Sequence, residues 1–404
     1  MSAIRILAYV IVVVLCCQSE IVAQDIGPLE IHYINVGQGG STMIIGPDGT
    51  SVLYDFGNIG RGKAVVEYLK DNLGFDPDRD PIDFTIVSHR DTDHYGGFVE
   101  IKDAGFDVLI ANFDSGSDKR ATPRMKKVWL TPASKTTAGA VRSVPVGLRI
   151  PLGDGAELRV VSANGHVFTS DEELPFARNE NDRSISLYLK YNNFDYVLDG
   201  DLGAGEDSEE NDCITDRDTS QRDFQTPTAR VLVDLGMDEN FGVDVLHIAH
   251  HGSESSTSAD YFDLLSPEVG LISVGLNQRS FLHPRVDVVE DILVGPNRNQ
   301  CVKSPQLQAL FQTEVGKPGS SSTGSTSFFG MPIGDIILKT NGESEYTITG
   351  SGRAEGGQIC QPVGAESWIF KIDDVATTTP SKSVNQVCLE DSSTCNCELS
   401  MAPN

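Results

Sequence analysis

The stretch Ser88-His89-Arg90-Asp91-Thr92-Asp93-His94-Tyr95-Gly96-Gly97 decides the reading of this chain. It follows directly on the apolar run Phe84–Ser88, which reads as a short buried strand. Four side chains able to bind a metal, His89, Asp91, Asp93 and His94, fall within six positions. In a sharp turn at a strand end, that spacing lets His89 and Asp91 face one way and Asp93 and His94 another, enough to begin two adjacent metal sites. Gly96-Gly97 then lets the backbone turn tightly into a helix. The competing reading is a polar loop whose histidines and carboxylates pair in salt bridges. The companions of the motif, present in order on both sides of it, favour the metal reading.

Upstream, Leu29–Val36 alternates and is β-branched, and Thr42–Ile45, Pro47-Asp48-Gly49 and Ser51–Tyr54 read as a hairpin. Lys63–Leu73 places Val65, Val66, Leu69 and Leu73 on one helical face and stops at Gly74. Downstream, apolar strands are expected at Ser184–Tyr191, Tyr196–Leu198, Val243–Ala249 and Val269–Val274, with helices between the later ones. Ser258 can cap one helix and Pro284 can begin another. Strands interleaved with helices indicate an α/β fold built in layers.

The order of these segments resembles the metallo-β-lactamase fold, and within it the hydrolase domain of ComEC-type DNA-uptake competence proteins and their stand-alone relatives. The resemblance runs from about Leu29 to Leu293. It rests on Val36-Gly37-Gln38-Gly39, on Asp55 at a strand end, on the 88–97 motif, on Asn181-Asp182-Arg183-Ser184, on Gly200-Asp201, on His250-His251-Gly252-Ser253 and on Ser273-Val274-Gly275-Leu276-Asn277 with His283-Pro284. Asp91 stands where many of the wider superfamily have histidine and the competence branch has aspartate. Gly40 and Leu282 depart from the branch's pattern, at places tied to substrate contacts.

The resemblance implies a four-layer αβ/βα sandwich holding two divalent metal ions. His89, Asp91, Asp93 and His94 would be ligands, with Asp201 bridging the ions. Asn181 stands where many relatives have a third histidine for the first site, so that site is either short of one ligand or completed by His166. Strand alternation would put His250 and His251 on opposite faces unless the turn begins between them. His250 is favoured for the metal, with His251 a further ligand or a residue that orients one, and His247 reads as a packed histidine. Zinc is the first choice of ion on the histidine count; manganese and magnesium also suit so carboxylate-rich a set.

Composition bounds the rest. The 404 residues carry 58 Asp plus Glu against 31 Lys plus Arg, a net charge of -27, and are 39% hydrophobic, which excludes a disordered or multi-spanning membrane protein. So acidic a surface repels polyanions, and any site for one must be local. Arg5, the apolar run Ile6–Cys17 and the small Ala23 read as a signal peptide over residues 1–23, pointing to a secreted or periplasmic protein. Six cysteines would remain, an even number suited to disulfides. The acidic run 206–218 reads as an exposed loop. The domain expected over 28–300 would be followed by a linker or long loop over 301–327. Residues 328–404 would form a small β-hairpin unit, turning at Asn341-Gly342, and a disulfide-bearing tail.

The implied activity is hydrolysis of a phosphodiester by metal-activated water, with extracellular DNA as the leading substrate and Asp93, Asp201 and His283 in the chemistry. His283 would donate a proton to the departing oxygen or bind a phosphate oxygen. Asn181 and Ser184 are candidate substrate contacts. The cluster Lys119, Arg120, Arg124, Lys126 and Lys127, within nine residues, offers a local basic patch for DNA. Two alternatives stand beside this: a non-catalytic secreted binding protein on the same fold, and a hydrolase of another ester such as choline phosphate or a lactone. With no membrane-spanning bundle in the sequence, a complete uptake channel is not expected, and no protein partner is indicated.

Overall fold

A computed structural model describes residues 27–117, 120–170, 173–205, 220–237, 242–276, 281–294, 301–305, 307–316, 330–351 and 367–372, with short strands at 360–361, 382–383, 395–396 and 400–401. The expected signal peptide, the acidic run and most of the cysteine-containing tail lie outside these residues. Among the described residues no helix is long and apolar enough to cross a membrane.

The first sheet opens with β1 (Leu29–Tyr33), β2 (Thr42–Ile45) and β3 (Ser51–Tyr54), antiparallel as the hairpin pattern predicts, and continues in parallel with β4 (Ile82–Val87), β5 (Val108–Asp114) and β6 (Arg142–Ser143). The second sheet begins with β7 (Arg149–Gly153), β8 (Ala156–Ala163), β9 (His166–Val167), β10 (Ser186–Tyr191) and β11 (Phe194–Leu198). It then turns parallel through β12 (Val245–His247), β13 (Val269–Ile272), β14 (Ala309–Gln312) and β15 (Met331–Pro332). Each sheet thus has an antiparallel half and a parallel half.

Three apolar clusters account for the layers. One fills the space between the sheets, with Ile31, Ile86, Leu187, Leu198 and Val245 fully buried. A second lies outside the second sheet against α4 (Gln225–Asp234) and α5 (Ala259–Leu265). The third lies outside the first sheet, where α1 (Gly62–Asp71) and α3 (Phe98–Asp103) bury Val65, Leu69, Phe98 and Ile101 beside Trp129. Helix, sheet, sheet, helix is the four-layer arrangement expected.

The C-terminal region departs from expectation. The segment read as a linker over 301–327 contains β14, whose Ala309, Leu310 and Phe311 are fully buried. The hairpin around Asn341-Gly342 extends the first sheet rather than standing as an appended unit. Its strands β16 (Ile336–Thr340) and β17 (Glu345–Gly350) carry that sheet outward from β1, and Trp368–Lys371 adds the edge. The physical reason is the alternation in Ile336–Thr340, which offers Ile336 and Leu338 to the core between the sheets.

Candidate metal centre

The site forms where parallel strands of the two sheets end side by side, the position at which α/β sheets usually bind ligands. β3 runs into Asp55, β4 into Ser88-His89, β11 into Asp199-Gly200-Asp201, and β12 leads to His250-His251. A short helix, α2 (Thr92–Tyr95), carries Asp93 and His94 back over the strand ends. Two glycines make these approaches possible. Gly39, at φ +140°, lies so near the Asp93 carbonyl that a Cβ there would sit 2.4 Å from its oxygen, and Gly40 N donates to that same oxygen. Gly200, at φ +57°, passes over Ser88 and Tyr54, leaving 2.8 Å between an added Cβ and that of Ser88.

Asp201 is the hub. Its Oδ2 lies 3.3 Å from His94 Nε2, 3.7 Å from His89 Nε2, 3.7 Å from His250 Nε2 and 3.9 Å from His251 Nε2. Asp91 Oδ2 is 3.5 Å from His89 Nε2, and Asp93 Oδ2 is 3.8 Å from His251 Nε2. Two donor triplets result, His89 with His94 and Asp201, and Asp93 with His94 and His251, each with its ligand atoms within 4.8 Å of one another.

The residues present fit a cation. Among the described residues, the buried atoms His89 Nε2, His94 Nε2, His251 Nε2 and Asp201 Oδ1 have no hydrogen-bond partner. Leaving so many buried polar atoms unsatisfied in one place would be costly unless an ion completes them. Donors about 2.1 Å from a tetrahedral ion stand about 3.4 Å apart, the spacing seen around Asp201 Oδ2.

The outer nitrogens of the four histidines are all engaged. Asp55 Oδ2 accepts from His94 Nδ1 at 2.7 Å, and its Oδ1 accepts from Ser88 N at 2.7 Å. His251 Nδ1 donates to the Ser273 carbonyl at 2.7 Å, which leaves Nε2 as the nitrogen that faces the centre. His89 Nδ1 meets Ser88 Oγ at 2.9 Å, while His250 Nδ1 meets Ser255 Oγ at 2.8 Å and Gln221 Nε2 at 3.0 Å. Such partners fix ring orientation and strengthen the inward nitrogen as a ligand.

His250 and His251 reach one site because regular strand geometry has already ended at His247. Both take left-handed backbone, φ 50° and 56°, so alternation no longer separates their side chains. His251 enters a donor triplet; His250 stands at the rim, its Nε2 3.4 Å from Asn181 Nδ2. His247 is buried beside Tyr33, and His166 is exposed on β9, away from the cluster.

Charge balance is tight. Burial opposes ionisation of Asp201, but the imidazoles of His94, His250 and His251 outweigh it and hold the carboxyl far below its usual range. Burial likewise opposes the His94 imidazolium, and Asp201 and Asp55 outweigh that, raising it well above the ordinary histidine value. Burial together with His250 and His251 pushes His283 down to about 2, so that ring is neutral.

A cavity of about 630 Å³ opens over the cluster. Asp91, Thr92, Asp93, Asn181, Asp201, His250, His251, His283 and Arg124 line it. Of the basic run, Arg124 alone among the described residues faces the cavity; Arg120, Lys126 and Lys127 are exposed elsewhere, and Lys119 lies outside the described residues. Ser184 is buried beneath Asp201, its Oγ accepting from Asp201 N at 3.2 Å, which makes it a support for the ligand and not a substrate contact. Sequence reasoning passed over Gln38, Asn58, Asn179, Ser220, Gln221 and Phe281, which complete the lining. Gln38, inside the Val36–Gly39 stretch, was the one with a signal.

No family model matches the chain. Over 210 residues it is 24% identical to ComE operon protein 3 of Bacillus subtilis, covering 52% of this chain and 22% of that protein. Over 246 residues it is 24% identical to Recombination protein 2 of Haemophilus influenzae, covering 61% of this chain and 24% of that one. The chain therefore spans under a quarter of either relative's length. Among solved structures it is similar to the metallo-β-lactamase SMB-1 bound to 2-mercaptoethanesulfonate, at 18% identity and a TM-score of 0.30, over 55% of this chain and 76% of that one.

Proposed function

We propose that this protein is a metal-dependent phosphodiester hydrolase, with extracellular DNA as its leading substrate. The observation that carries the reading is the ring of inward histidine nitrogens around Asp201 Oδ2, with buried donor atoms left for an ion to complete. His89, Asp91 and Asp201 would hold one ion, and Asp93, His94, His251 and Asp201 a second. When bound, divalent ions would lower the pKa of a water to near neutrality and neutralise negative charge developing on the phosphoryl oxygens. Zinc suits the histidines; manganese or magnesium would suit the carboxylates.

The chain's own residues do the remaining work. Asp55 holds His94 in orientation through its Nδ1 hydrogen bond, and the Ser273 carbonyl does the same for His251. Ser184 fixes the backbone of Asp201. Arg124 supplies a guanidinium for a phosphate oxygen at the cavity wall, offsetting locally the repulsion expected from a net charge of -27. Neutral His283 serves as an N–H donor to a phosphate oxygen in preference to an acid. Similarity to a ComE operon protein and to a protein named for recombination supports a nucleic acid over choline phosphate or a lactone. The signal-peptide reading of residues 1–23 would place the activity outside the cytoplasm.

The test is direct. Purified protein would be assayed for bound metal and for turnover of plasmid DNA, bis-p-nitrophenyl phosphate and nitrocefin, alongside Asp93→Ala and Asp201→Ala. Phosphodiester cleavage that both substitutions abolish supports the reading; a metal-free wild type, or activity indifferent to them, defeats it.

A further inference from the structure

Phe281 is the one apolar side chain among the described residues that line the cavity, every other being charged, an amide, a hydroxyl or an imidazole. Its ring is 57% exposed. Its centroid lies 5.7 Å from that of His283, tilted by 33°, and His283 in turn lies 5.4 Å from His250 and 6.1 Å from His251. A line of flat rings thus runs from the donor cluster to the cavity mouth, and the last of them stands mostly in water. Burial does not explain Phe281, since so little of the ring is removed from solvent.

We propose that Phe281 is a stacking platform for an unpaired nucleobase, which makes the substrate class of this site nucleotide phosphodiesters whose base is free to leave its own stack. The proposal rests on the phosphodiesterase reading above and specifies its substrate. Bases stack on exposed aromatic faces with little regard to sequence, because each base has a π face. A cavity of about 630 Å³ is of small-ligand size. A nucleotide inside a duplex has both faces of its base covered, whereas one at a strand end or in a single strand can offer a face to Phe281. With the base there, the attached phosphate is drawn toward Arg124 and the donor cluster, which line the same cavity.

The experiment compares two dinucleotides that share phosphate and sugars: dithymidine phosphate and its counterpart with both bases removed. Base stacking of this kind is worth about 1–3 kcal/mol, so the wild type should favour the dithymidine by a factor of about 5 to 150 in kcat/KM. Phe281→Ala should bring that ratio down toward one, and Phe281→Trp should keep it high. A wild-type ratio near one, or a high ratio that survives Phe281→Ala, overturns the proposal while leaving the phosphodiesterase reading intact. Cleavage of bis-p-nitrophenyl phosphate but of neither dinucleotide also overturns it. If no phosphodiester is cleaved, the underlying reading fails and takes this one with it.

Discussion

Asp55 Oδ2 accepts a hydrogen bond from His94 Nδ1 at 2.7 Å, while the opposite nitrogen of the same ring stands 3.3 Å from Asp201 Oδ2. His94 belongs to both donor triplets, so Asp55 orients a ring that the two triplets share. Asp55→Asn should weaken metal binding by about 10–100-fold, measured by competition with a chelator. Unchanged affinity in a variant of normal thermal stability would confine Asp55 to holding Ser88.

Asp201→Asn removes the carboxylate that faces four imidazoles. Metal retained after dialysis should fall, and turnover of bis-p-nitrophenyl phosphate should drop by about 100-fold or more. Elemental analysis and steady-state kinetics read the two effects separately, and a variant that keeps its full metal complement contradicts the role as hub.

Arg124 should differ from its basic neighbours. Arg124→Ala is expected to raise KM for a phosphodiester about ten-fold, the loss of one charge-assisted hydrogen bond. Lys126→Ala and Lys127→Ala, exposed outside the cavity, should change mainly the salt dependence of DNA cleavage. Equal effects at all three positions would show a diffuse patch instead.

His247 predicts an acid sensitivity. Burial holds its pKa down to about 3, against an ordinary value of 6.5, so the folded ring stays neutral while the unfolded one takes up a proton. The unfolded state therefore binds more protons between pH 6.5 and 3, and stability is present above that window and lost as pH falls through it. The slope is about 1.4 kcal/mol per pH unit. Its Nδ1 has no hydrogen-bond partner among the described residues, so His247→Phe keeps the shape and loses the titration. Denaturant unfolding of the two proteins at pH 7 and pH 5 should diverge by that slope; parallel behaviour would refute it.

Gly200→Ala places a methyl 2.8 Å from Ser88 Cβ and 2.9 Å from the Tyr54 hydroxyl, at a backbone angle that favours glycine. A loss of about 1–3 kcal/mol in unfolding free energy is expected. Metal affinity should weaken with it, because Asp201 follows directly; a thermal melt with and without zinc would separate the two contributions.

Much of this site could be read from the chain because its ligands sit at strand ends, where the apolar run and the chemistry adjoin. His89, Asp93, His94 and Asp201 were legible for that reason. The order of His250 and His251 was not, because it depends on two consecutive left-handed residues that no periodicity announces. Phe281 carried no signal either: an isolated aromatic residue in a polar stretch looks the same whether it lines a cavity or lies on the surface. The basic run misled in part, since only the fold could separate Arg124 from Lys126 and Lys127. Likewise, the hairpin at Asn341-Gly342 was plain, but its attachment to β1 depended on residues some three hundred positions away.

That attachment sets a timetable. Leu29 faces Thr340 in the register of β1 and β16, so one side of the earliest strand in the first sheet stays bare until the last third of the chain has been made. At a synthesis rate of about 5–20 residues per second, the wait is on the order of tens of seconds. During it, β1 presents an open edge able to pair with a neighbouring chain. Loop closure over so long a separation also slows folding. Assembly of the protein should accordingly be limited by this late pairing, and crowding of nascent chains should lower its yield before any metal is bound.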